Sequence, residues 1–156
     1  MKYLVAFLFL SFSLHATTIH VGKKYTVKSV KKGIALAKVG DTVIVHGGLY
    51  REGNISIKKK IVFLGKNLPI LDGQKKHEVL SIYADSVVVD GFKIIKSAYA
   101  TITDPCGIKV YNRNHVIIQN NVLDDNFFGI YLQNCQSCTI KNNYLKAYGK
   151  EEQQLG

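Results

Sequence analysis

Two cysteines and a histidine offer the clearest chemistry in this chain. Residues 129–145 read GIYLQNCQSCTIKNNYL and set Cys135 and Cys138 as a C-x-x-C. That spacing suits a disulfide or redox pair, and thiolates also prefer Cu(I). His115 stands 22 residues before Ser137 and could add an imidazole to a Cu(I) site. The bland alternative is a pair of scaffold cysteines, because free cysteine behaves as a small buried hydrophobe. A lone C-x-x-C, with no second pair, leaves all three readings standing.

Other reactive residue types are more dispersed. Cys106 makes the cysteine count odd, and three cysteines are too few for a disulfide framework. His20, His46 and His77 fall at no metal-ligand spacing, and His46 reads as a hydrogen-bonded surface histidine at a strand end. The adjacent acids Asp124 and Asp125 sit at a corner, where aspartates commonly bond their own backbone. Sugar-cleaving chemistry needs clustered carboxylates, either as an acid/base pair or around Ca²⁺. No catalytic residue is assigned, and the chain reads as non-enzymatic.

What must hold these groups is a repeat. GIKVYNRNHVIIQNNVL from Gly107 aligns with GIYLQNCQSCTIKNNYL from Gly129 at a constant offset of 22 residues. Ile118 meets Ile140, Asn112 meets Asn134, and Asn120-Asn121 meets Asn142-Asn143. Looser copies precede them at 79–94, 54–65 and 41–46. Each copy alternates apolar and polar residues over short stretches broken by Asn, Asp or Gly. Alternation means strand, and those breakers tolerate the left-handed backbone of a tight corner. The pattern predicts an all-β fold, a parallel β-helix of about 22 residues per coil with asparagine ladders along its corners. In that register Cys138 lies over Val116 and faces inward, whereas Cys135 lies over Arg113 and faces out.

Residues 24–39 differ. Val27, Val30, Ile34 and Ala37 recur at helical spacing with lysines opposite, which predicts an N-terminal capping helix. At the other end, residues 146–156 are polar, and a β-helix ending there would expose unpaired backbone. That predicts an N-terminal part of a longer β-helix, with later coils carrying further chemistry.

The chain carries 21 basic against 11 acidic residues, and only Arg51 and Arg113 among the basic ones are arginine. Lysine is a hydrated point charge, suited to general attraction rather than forked readout of phosphate or bases. The opening MKYLVAFLFLSFSLHA reads as a secretory signal peptide over residues 1–16, too short for a membrane span. Export makes nucleic acid a poor partner. An acidic periplasmic protein or an anionic membrane surface suits the lysines better, unless they form only a solubilising face.

Residues 17–148 resemble the pectin-lyase-like β-helix proteins, which implies a right-handed parallel β-helix. The opening 35–52 (ALAKVGDTVIVHGGLYRE), Ile61–Gly65, Leu71–Gly73, 116–123 and 129–132 look most like the NosD family, periplasmic maturation proteins of nitrous oxide reductase. The resemblance implies a non-enzymatic scaffold that works with ABC transporter subunits. It would deliver copper, or sulfur for the copper centre, to the reductase or through a copper chaperone. The alternative is a polysaccharide lyase or hydrolase whose catalytic coils lie elsewhere.

Overall fold

The computed structural model describes residues 16–99 and 104–147. The expected signal peptide therefore lies, apart from Ala16, outside the described residues. Strand β1 (Thr18–Val21) is followed by helix α1 (Val30–Leu36) and β2 (Thr42–His46). The chain then winds in coils, each laying one strand into each of three sheets. The first coil continues with β3 (Leu49–Tyr50) and β4 (Ile55–Ile57). The second holds β5 (Val62–Lys66), β6 (Ile70–Asp72) and β7 (Leu80–Ile82). Next come β8 (Val88–Asp90), β9 (Lys93–Ile95) and β10 (Cys106–Tyr111), then β11 (Ile117–Gln119), β12 (Val122–Asn126) and β13 (Phe128–Gln133). The last described coil opens with β14 (Thr139–Lys141) and β15 (Tyr144–Ala147).

The sheets stack as β1-β2-β5-β8-β11-β14, β4-β7-β10-β13 and β3-β6-β9-β12-β15, and every pairing is parallel. This is the parallel β-helix that the repeats predict. Ile118 pairs with Ile140 and Cys106 with Phe128, in the expected register. Coil length is not constant, however. Thr42 lies over Val62, 20 residues on, and Val62 over Val88, 26 on. Val88 then lies over Ile117, 29 on, and in this sheet only the last step, Ile117 over Thr139, returns the expected 22. Strands must match to keep the ladder bonded, so extra residues collect between strands, as between the end of β9 and the start of β10.

Alternation puts every second side chain into one shared interior. Phe63, Val89 and Ile118 stack from the first sheet, and Leu71, Ile94 and Leu123 from another, all at most 1% exposed. At about 25 cal/mol per Å² of apolar surface, this column supplies most of the drive to fold. Corners are closed by left-handed residues, among them Asn112, Asn120, Asn134 and Asn142. Two of the predicted asparagine ladders form: Asn134 Nδ2 donates to Asn112 Oδ1 at 3.0 Å, and Asn121 Nδ2 to Asn143 Oδ1 at 3.0 Å. Asn120 instead donates to Asp90 at 3.0 Å. One corner needs glycine outright, since a Cβ on Gly65 would lie 2.3 Å from the carbonyl oxygen of Gly91.

The helix is shorter than 24–39. It spans Val30–Leu36, because residues 22–27 close a turn in which Gly22 N–H donates to the Val27 carbonyl at 2.9 Å. Val30, Gly33 and Ile34 face the coil beneath. Glu52, one coil on, accepts from Val30 N–H at 2.7 Å, Lys31 N–H at 3.0 Å and the Ser29 hydroxyl at 2.7 Å. Lys59 donates to the Ala35 carbonyl at 3.1 Å and to that of Ala37. Both orphaned ends of the helix are thus satisfied from the first coil.

Candidate functional site

The C-x-x-C occupies a corner between β13 and β14. Asn134 and Ser137 both adopt left-handed backbone, with φ of 49° and 52°. Two such residues three apart turn the chain twice. Cys135 and Cys138 therefore both pack against the interior instead of pointing to opposite sides. Counting strand parity through the corner was the reason for expecting Cys135 to face out, and parity does not survive a left-handed residue. Both thiols are free and half-buried. The Cys135 thiol donates to the Gln133 carbonyl at 3.2 Å, and that of Cys138 lies 3.6 Å from the carbonyls of Arg113 and Gln136.

Burial pushes the Cys138 thiol above its ordinary value, opposed by a hydrogen bond with the Val116 backbone, and the neighbouring Cys135 adds to the rise. A cation binding here must therefore displace protons. Arg113 sits one rung beneath Cys135, next to the Asn114–Gln136 bridge, and its Nε is buried with no hydrogen-bond partner. His115 is exposed at a left-handed position, with its backbone N–H donating to the Gln136 carbonyl at 3.1 Å. Among the described residues no three of His, Cys, Asp and Glu converge as metal ligands, so His115 does not join the two thiols. Cys106 is a separate matter. It is fully buried on β10, and burial, reinforced by the Glu78 charge, pushes its thiol up to about 12.

A second cluster escaped the sequence reading. His20 Nδ1 lies 2.9 Å from His46 Nε2, and Tyr25 Oη lies 3.4 Å from His46 Nδ1. Tyr25 stacks on His46 with ring centroids 4.2 Å apart and on His20 at 5.1 Å. With Lys23, Lys24, Lys66 and Asn67 the site borders a cleft of about 460 Å³. Burial lowers the pKa of His46, and the charges of His20 and Lys66 lower it further. The signal was the register of the first coil: His20 pairs with Ile44, 24 residues on, so His46 falls diagonally on the same outer face. A uniform 22-residue period hides that.

Several carboxylates among the described residues are engaged structurally. Asp72 holds Arg51 at 3.0 Å, Asp125 holds Lys75 at 2.5 Å, and Asp124 faces Lys93 at 3.8 Å. Asp124 also stacks under Lys146, as the repeat predicts, but a register shift then sets Asn126 rather than Asp125 under Ala147. Glu78 accepts from the Tyr111 hydroxyl at 3.0 Å and from the Ser81 hydroxyl.

The sequence pattern of NosD, described as periplasmic copper-binding protein, matches residues 16–151. The chain belongs to the NosD family. Among solved structures it is similar to a pectin methylesterase variant in complex with a hexasaccharide, at a TM-score of 0.57 and 11% identity. That match covers 91% of this chain and 59% of the other, so the NosD-family chain spans well under two thirds of the esterase's length. At this identity the likeness shows the β-helix fold alone. Comparison with curated proteins gives no match. A NosD-family assignment is periplasmic and copper-related, and among the described residues no helix is long and apolar enough to cross a membrane.

Proposed function

We propose that this NosD-family chain is a non-enzymatic periplasmic scaffold that carries Cu(I) during maturation of nitrous oxide reductase, with Cys135 and Cys138 as donors. The family match over residues 16–151 carries the reading. The two neighbouring thiols support it, because soft thiolates suit Cu(I) and two ligands suffice for a linear site. Binding converts two thiols and one Cu⁺ into a dithiolate complex of net charge −1 and releases two protons. The buried, unpartnered Nε of Arg113 beneath Cys135 fits such an anion. An ABC transporter supplying copper or sulfur, and the reductase receiving it, are the partners this reading adds. The lysine-rich first coils would then dock on an acidic protein or an anionic membrane surface. The engaged carboxylates favour a scaffold over a sugar-cleaving enzyme.

The test is anaerobic Cu(I) titration of the reduced protein against a competing chelator. The Cys135→Ser/Cys138→Ser variant should lose one tightly held equivalent, and proton release should fall with it. Unchanged uptake in the variant would remove copper from this corner.

A further inference from the structure

The hydrogen-bonded imidazoles at the opposite end of the molecule have no role in the thiol site. His20 and His46 come from neighbouring rungs, and their ring nitrogens already face each other at 2.9 Å. Tyr25 Oη lies 3.4 Å from His46 Nδ1, and in the tautomer that carries its proton on Nδ1 this oxygen accepts it and Nε2 keeps its lone pair. The proton in the present contact then belongs to His20 Nδ1. Moving it to His20 Nε2, on an exposed side chain, leaves two lone pairs directed at one point.

We propose that His20 and His46 form a second, two-coordinate site for Cu(I), with Tyr25 as a positioning residue that fixes the His46 tautomer and covers the pair. The proposal rests on the copper reading above and adds a separate place for the ion. Two metal–nitrogen bonds of about 2 Å in line need nitrogens about 4 Å apart, an opening of about 1 Å from the present contact. His20 can supply that movement. It is exposed, and β1 is the terminal strand of its sheet among the described residues. Imidazole suits copper, and the hydroxyl behind His46 is the outer partner that a ligating histidine requires. The surrounding charge selects among ions. Lys23, Lys24 and Lys66 line the cleft with His46, no carboxylate among the described residues lines it, and two neutral imidazoles add no charge. A monovalent ion therefore meets less repulsion than a divalent one, and it is held loosely enough to pass on.

The experiment uses the reduced Cys135→Ser/Cys138→Ser chain, so that only imidazole binding remains. Cu(I) is titrated anaerobically against a chelator, and imidazole ¹⁵N signals are followed by NMR. One equivalent should bind, the His20 and His46 signals should move together, and Zn(II) should bind more weakly. His20→Asn and His46→Asn should each abolish that equivalent. Tyr25→Phe keeps the stacked ring, so it should weaken binding about tenfold while the His46 signals report a mixed tautomer. Equal Cu(I) affinity in His20→Asn, at an exposed position and with an unchanged circular dichroism spectrum as the control for folding, would overturn the site. Tighter Zn(II) than Cu(I) would overturn its charge argument. If the unsubstituted chain takes up no Cu(I), the copper reading falls as well. If uptake disappears with the two serines alone, only the imidazole site falls.

Discussion

Ile118 and Ile140 hold one position on successive rungs, yet Ile118 is 1% exposed and Ile140 47%. Leu123 and Leu145 repeat the contrast, at 1% and 52%. At the N-terminal end α1 covers the same interior, and the two helix ends are bonded to Glu52 and Lys59. A side chain in this fold is buried by the coil above it, so equal residues in equal positions contribute unequally. The closed end is built from polar bonds across a helix. The last described rung presents Tyr144, Leu145 and Ile140 instead.

The largest effect should separate the two isoleucines. Ile118→Ala should cost about 2–4 kcal/mol of unfolding free energy, from lost transfer and the cavity left behind. Ile140→Ala, half in water already, should cost less than about 1 kcal/mol. Urea midpoints compare them directly, and equal losses would mean that the last rung is covered after all. Next comes the closed end. Glu52→Ala removes an acceptor shared by two helix N–H groups and the Ser29 hydroxyl, and should cost about 1–2 kcal/mol. Backbone NMR shifts should move at 30–36 and stay fixed in β13. Movement at both would break the independence of the two ends.

The smallest effect is pH-dependent. The Asp41 carboxyl is held below its ordinary 3.8 chiefly by Lys38 N–H at 2.7 Å and then by Thr17 N–H at 2.8 Å, with burial opposing. A carboxyl whose folded pKa is depressed stabilises fully above its unfolded value and loses that contribution as pH falls through the folded one. The stability gap between the parent and Asp41→Asn should therefore hold steady above about pH 5 and narrow below about pH 4. A gap independent of pH down to pH 2 would remove Asp41 from the acid response of the closed end.

Much of the fold was legible because stacking imposes the same chemistry at each rung. Ile118, Ile140 and the asparagine pairs could be matched from letters alone. Corners were not legible, since insertions there change coil length without touching the ladder. That one fact hid the His20–His46 contact, which depends on a 24-residue first coil. The direction of Cys135 was lost to a second cause, two left-handed residues where alternation stops applying. Helix α1 came out short because helical spacing at Val27 is also satisfied by a turn that hands Val27 back to Val21.

The order of the first sheet sets how far apart the two proposed donor pairs lie. His46 ends β2 and Cys138 immediately precedes β14, four steps along the stack. With strands about 4.8 Å apart, the separation along the axis is about 19 Å. An ion cannot cross that gap between ligands in one exchange, so a partner would meet imidazole and sulfur as two distinct ports. Adding or deleting a whole winding between them would change their spacing by one fixed increment and leave each port's own geometry alone.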